Sequence, residues 1–226
     1  MNEDIVATTV SSPERTKEII ISYVLLSVLS LASRLIVVIW IGVVIFLLTF
    51  PSIWSRFSRL KTPAQPEKSS RVKALGIGGL LGAMFFIYCI IQPDAWDQFP
   101  PPFYEIQLLL GFVINALVLA PMQEIYFRNW LQPRLEELLG TMKALVLTSF
   151  LFMLWHLMPP FQSGPMTQIS IDVQSLLGML ATFILGLMCG IAYIKSRRLL
   201  APWLAHTIAG TTLVILGKVV LFTYIE

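Results

Sequence analysis

IQLLLGFVINALVLAPMQEIYFRNWL, residues Ile106–Leu131, is an apolar run with a carboxylate and a guanidinium near its end. It is long enough to cross a bilayer, which takes about 20 predominantly apolar residues. At lipid depth Glu124 and Arg128 each cost roughly 2.5–3.5 kcal/mol unless paired or wetted. Four residues apart on a helix, they share a face and can pair. A chain that tolerates this cost is expected to use the stretch Pro121-Met122-Gln123-Glu124-Ile125-Tyr126-Phe127-Arg128 as an intramembrane site.

The rest of the chain has the composition of a membrane protein. Of 226 residues, 56% are hydrophobic and only 13% charged, with a mean hydropathy of +0.77; soluble domains carry about 25% charged residues. No polar block is large enough to form a separate soluble domain. Met1–Glu18 is polar and mixed in charge, and the apolar stretch after it is too long for the core of a cleavable signal. The net charge of +3 gives no reason to expect nucleic-acid binding, because the basic residues cluster beside apolar spans. Cys89 and Cys189 both lie in apolar runs and read as small core residues, not as a disulfide or metal ligands.

Six spans are expected. The first block, Ile19–Phe50, is interrupted by Arg34 and too long for one upright helix; it reads as one span with an interfacial lead-in, a hairpin being the alternative. Val72–Gln92, Ile106–Leu131, Lys143–Met158, Val173–Ile194 and Leu199–Tyr224 follow. The fold class is therefore an all-α polytopic membrane helix bundle. Residues 1–102 would hold the polar N-terminal segment and two spans, and residues 103–226 a four-span core.

Charge sets the orientation. Arg56, Arg59, Lys61, Lys68, Arg71 and Lys73 face only Glu67 in one loop; Arg134 with Lys143, and Lys195 with Arg197 and Arg198, mark two more basic turns. The alternate loops carry Asp94, Asp97, Glu105 and Asp172 without lysine or arginine. Basic loops stay cytoplasmic, so six spans put both termini outside, and a hairpin at Ile19–Phe50 would move the N-terminus inside. The outer loop Gln92–Phe103, with Trp96, Phe99 and Phe103 suited to the interface, is expected to be extended, and Pro159–Pro165 is a second, irregular outer loop.

Both histidines lie in apolar runs. At about 1.5 Å of rise per residue, Glu124 lies roughly 18 Å, His156 roughly 21 Å and His206 roughly 10 Å in from the cytoplasmic ends of their helices. One glutamate and two histidines on three helices can thus face one cavity. Alone, each would read as an interhelical hydrogen-bonding residue; together, in a chain with little other intramembrane charge, they read as a site. Arg34 and Lys218 lie where long side chains snorkel and are assigned no chemistry.

These residues carry a resemblance. Gln123-Glu124-x-x-x-Arg128, Phe152-x-x-x-His156, and His206 after Leu200-Ala201-Pro202 resemble the CPBP family of intramembrane proteases, which includes CAAX prenyl endopeptidases and bacteriocin-processing or abortive-infection-type proteins. The family pattern is Glu-Glu-x-x-x-Arg, Phe-x-x-x-His and His-x-x-x-Asn, and the likeness runs from about Phe103 to Thr212, including Gly186, Gly190 and Tyr193. It implies a glutamate-type endopeptidase. The first Glu and the His at position 156 would activate water, and the His at 206 with the Asn would hold the oxyanion. Glu124 and Arg128 would brace the site.

Two positions depart from that pattern: Gln123 stands for the first Glu, and Gly210 for the Asn. Glutamine cannot act as general base, and a lost oxyanion donor costs on the order of a hundredfold or more in rate. Three explanations of Gln123 are open: an engineered inactivating change, a natural pseudo-protease that scaffolds a partner, or Glu124 serving as base. No cofactor is expected. Glu and His are competent zinc ligands, but no His-Glu-x-x-His spacing exists, so a metal-free mechanism is favoured.

The function expected is hydrolysis of a peptide bond in a membrane-associated protein or peptide, in a bacterial inner membrane. The rival is a non-catalytic adaptor holding a membrane partner through the same cavity or through Gly76, Gly78, Gly79 and Gly82. A proton-coupled transporter using Glu124 is a weaker third reading, since the broken-helix repeats common in transporters are not evident.

Overall fold

The computed structural model describes residues 12–36, 38–58, 63, 66–91, 104–158 and 173–216. Both proline-rich outer loops and Lys218 lie outside the described residues. The described residues form helices: α1 (Ser12–Leu35), α2 (Ile39–Phe57), α3 (Arg71–Ile90), α4 (Tyr104–Ile114), α5 (Ala120–Glu124), α6 (Gln132–Leu139), α7 (Thr141–His156), α8 (Val173–Ser196) and α9 (Leu200–Ile215). α4, α5 and α6 are parts of one rod, joined by π-helical segments at Asn115–Leu119 and Ile125–Leu131.

The first block is corrected by the structure. Ile19–Phe50 is not one span with an interfacial lead-in but parts of two helices, of 24 and 19 residues. At about 1.5 Å per residue, α1 and α2 reach roughly 36 and 28 Å, each close to the thickness of a hydrocarbon core. Arg34 marks the far end of α1, where it donates to the Met158 carbonyl (2.8 Å) and to that of Leu157 at the end of α7. It satisfies helix-end carbonyls that would otherwise be orphaned, a structural role that the snorkelling reading did not anticipate. Five helical rods, including the one at 108–139, are long and apolar enough to span a bilayer, and α7 and α9 are shorter apolar helices. The protein is an integral membrane helix bundle. With α1 and α2 as a hairpin, the charge rule puts the N-terminus on the side of the basic turns.

Two ends of the hairpin are pinned. At the basic-turn end Glu18, on α1, meets Arg15 (2.7 Å) and Arg134 of α6 (3.3 Å), and accepts from the Trp54 indole of α2. Arg15 also reaches Glu137 (3.0 Å). Buried charges persist only in such paired networks. Along the middle, Ser22 meets the Tyr126 hydroxyl (3.1 Å), and Trp155 donates to Ser30 (2.9 Å). Phe46, Phe50, Trp54, Tyr126 and Trp130 form a continuous aromatic stack between α2 and the central rod.

The outward face is apolar: Leu117 is 69% and Leu80 64% exposed. With the interior holding the polar side chains, this is a surface suited to lipid.

α3 closes the bundle against α9 through two glycines four residues apart. A Cβ on Gly78 would lie 2.4 Å from the Ala201 carbonyl oxygen, and one on Gly82 2.8 Å from the Ile208 side chain. Gly78 and Gly82 are therefore spent on internal helix contact and are not open to a partner helix, whereas a Cβ on Gly76 would meet nothing within 4 Å. Gly78→Ala should destabilise the bundle by about 1–3 kcal/mol through overpacking, while Gly76→Ala should be neutral or slightly stabilising; thermal unfolding of the detergent-solubilised variants checks both.

Candidate active site

The central rod owes its two π-helical segments to its prolines. Pro121 and Pro133 each lie two residues beyond the end of a π-helical segment. A proline lacks the N–H for the ordinary helical bond, and its ring crowds the carbonyl four residues back; a widened turn relieves that crowding. The polar residues of the rod cluster around these widened turns. Asn115 opens the first, Gln123 and Glu124 precede the second, and Arg128 lies within it.

Glu124 is the hub. Only 1% of it is exposed, and both carboxylate oxygens have a partner from a different direction. Oε2 lies 3.3 Å from Arg128 Nε, and Oε1 accepts from His206 Nδ1 at 2.7 Å. Arg128, fully buried, also donates from Nη2 to the Gly186 carbonyl (3.0 Å) and lies 5.2 Å from the Phe152 ring centre. One carboxylate thus ties the rod to α9, and one guanidinium ties it to α8 and α7.

His156 joins the cluster through Phe152. Its Nδ1 donates to the Phe152 carbonyl (2.8 Å), which can only accept, so the neutral ring keeps Nε2 as the lone-pair nitrogen. The Phe152 ring packs between the two histidines, 4.3 Å from His156 and 5.7 Å from His206, centre to centre. His206 is nearly as buried as Glu124. The shallower depth counted for it does not separate it from Glu124, to which it is hydrogen-bonded.

Gln123 is buried beside Glu124 in sequence, and its Oε1 has no hydrogen-bond partner. A buried acceptor without a donor costs about 1–3 kcal/mol, so this position calls for a donor such as water or a substrate N–H.

Two residues enter the site that the sequence reading left out. Asn115 is buried and donates from Nδ2 to the carbonyl of Thr207, the neighbour of His206. Its amide fills the space above Gly210: a Cβ there would meet Asn115 Nδ2, Oδ1 and Cγ at 2.5, 2.7 and 2.8 Å. An isolated asparagine in the apolar run Ile106–Leu131 was the available signal, since polar residues at lipid depth seldom lack a task. Cys189, a free thiol on α8, is the second; its Sγ approaches the Pro202 carbonyl at 3.7 Å.

Glu124, Cys189 and His206 are the group among the described residues whose ligand atoms, all within 4.8 Å of one another, suit a metal by type. Their arrangement does not. Tetrahedral ligands at about 2.0 Å from zinc stand roughly 3.3 Å apart, whereas Glu124 Oε1 and His206 Nδ1 are in direct hydrogen bond at 2.7 Å. The other carboxylate oxygen faces the Arg128 cation. A resident metal does not fit this arrangement.

Residues 105–212 match the family described as type II CAAX prenyl endopeptidase Rce1-like. The match runs from the start of the central rod to α9 and supports a CPBP-type intramembrane protease. No curated protein and no solved structure matches the chain.

The fit between Asn115 and Gly210 is testable by a double-mutant cycle. Gly210→Ala should lower stability by about 1–3 kcal/mol through overpacking, and Asn115→Ala in the same chain should recover part of it. Additive losses in thermal unfolding would contradict the contact.

Proposed function

We propose that this site is an endopeptidase centre for membrane-associated proteins or peptides, built to hydrolyse a peptide bond through activated water, with its general base replaced by Gln123. The observation that carries the reading is the double engagement of Glu124. Oε1 is bound by His206 and Oε2 faces the Arg128 cation at 3.3 Å, a pairing that suits a brace and lowers the tendency of Glu124 to take a proton from water. This disfavours Glu124 as a substitute base. The base position is then residue 123, whose buried Oε1, like Glu124 Oε2, has no hydrogen-bond partner within the protein.

In this reading a carboxylate at position 123 and His156 Nε2 share the proton of the attacking water. His206, held by Nδ1 on Glu124, presents Nε2 to the carbonyl oxygen and donates to the oxyanion when doubly protonated. Asn115 supplies the amide that the family pattern carries at the position of Gly210. Phe152 and the burial of the cluster limit bulk water, which strengthens each of these interactions. No metal takes part. The chain as it stands is predicted to bind substrate and to turn over slowly or not at all, in a membrane that we take to be a bacterial inner membrane.

The adaptor reading keeps one specific support, the same Gln123 beside a Glu124 paired with His206 and Arg128. Terminal proteomics of host membranes separates the two. New protein termini should appear with the Gln123→Glu chain and vanish when His156→Ala is added. Identical termini for the native, Gln123→Glu and doubly substituted chains would sink the general-base assignment and favour the adaptor.

A further inference from the structure

Away from the Glu124 cluster, at the end of the bundle that carries the basic turns, four cations border one cavity of about 250 Å³: Lys68, Arg71, Arg197 and Arg198, with Asn129 and Tyr193 completing much of the wall. They come from separate parts of the chain and are brought together by specific bonds. The segment before α3 docks on the α8–α9 turn, with Ser69 N donating to the Ser196 carbonyl (3.0 Å) and Arg198 Nε donating back to the Ser69 carbonyl. Ser196 Oγ in turn accepts from the Arg198 amide at 3.2 Å. Arg197 sits in the left-handed region (φ 51°), which a non-glycine residue rarely adopts. It is held there by Glu136 (2.7 Å) and by the Tyr193 ring 5.6 Å away.

The balance of charge is lopsided. Among the described residues, four lining cations stand against the Glu136 carboxylate bound to Arg197, a net of +3 (four minus one), while Glu67 is exposed and does not line the cavity. Two helices also start at this wall. Arg71 opens α3, whose first turn is capped by Ser70, and Leu200 opens α9. Basic turns need lysines and arginines for topology, but topology does not require that they converge on one concavity. Leu199 and Leu200 give the same cavity an apolar edge.

We propose that this cavity is a binding site for a phosphate group, the chemistry shared by an anionic phospholipid headgroup and free phosphate. Basic pockets between helices on the cytoplasmic side suit such headgroups, and the apolar edge favours the lipid source. An occupant would bridge the starts of α3 and α9, and α9 carries His206. The proposal stands apart from the hydrolytic reading, since it needs no turnover to be tested.

The test uses the full chain in neutral detergent, with thermal unfolding and native mass spectrometry as readouts. The ligands are phosphatidylglycerol, phosphatidylcholine and inorganic phosphate. One variant is Lys68→Gln/Arg71→Gln, which alters two exposed lining residues; the control is Lys73→Gln/Lys195→Gln, exposed and basic but outside the cavity. Phosphatidylglycerol should raise the melting temperature and be retained in the mass spectrum, as expected for a ligand of the folded state. The cavity variant should weaken its binding at least about tenfold, and the control should bind as the native chain does. The same pattern with inorganic phosphate instead would support the site and identify a soluble source. Equal losses in the two variants, equal effects of phosphatidylcholine and phosphatidylglycerol, or no effect of either phosphate source would overturn the proposal.

Discussion

A carboxylate buried in an apolar bundle needs a counter-charge and hydrogen-bond donors, and Glu124 takes them from two other parts of the fold. Arg128, one turn along the same rod, supplies the charge, and His206 on α9 supplies an N–H. Because removing one partner of a buried pair costs about 3–5 kcal/mol, this triad constrains everything it touches. α9 must sit where His206 reaches Oε1, and α8 where the Gly186 carbonyl receives Arg128. Close approach follows from small residues: a Cβ on Gly186 would lie 3.1 Å from Ser149 of α7, and one on Gly190 would collide with Leu145.

The remaining helices hold that core in place. The α1–α2 hairpin clamps the outer side of the rod through the aromatic stack and the Glu18 network, while α3 closes the other side on α9 through Gly78 and Gly82. The π-helical segments let prolines sit inside a rod that nonetheless spans the membrane. They also turn Asn115 and the Gln123–Arg128 stretch toward the bundle interior. The irregular backbone thereby lies where a neighbouring helix satisfies it, as the Trp203 indole of α9 does for the Ala116 carbonyl.

The same close packing explains how Gly210 and Asn115 relate. An asparagine on α9 would collide with the amide already present on the rod, so the polar group has one location, not two. Position alone, seen along α9, looks like the loss of a donor. Seen across the helix pair, an amide on the rod already occupies the space beside Gly210 and donates to the Thr207 carbonyl.

Much of this was legible from the chain. Apolar runs of span length, basic alternate loops and the Glu124–Arg128 spacing define a polytopic helical protein, because lipid allows few ways to satisfy a backbone. The ordered motifs around Glu124, His156 and His206 also pointed to the family. The division of Ile19–Phe50 into two full helices was left open in the sequence: Arg34 is its one interruption, and that this residue ends α1 depends on its finding the end of α7. The roles of Asn115 and Cys189, and the cationic cavity, were not legible, since each depends on residues distant in sequence. Sequence by itself determined that charged groups lie at membrane depth and must be paired. Only the tertiary structure decided that Glu124 pairs with His206 on α9 as well as with Arg128 on its own rod, because pairing across helices is set by packing distance and not by spacing along the chain.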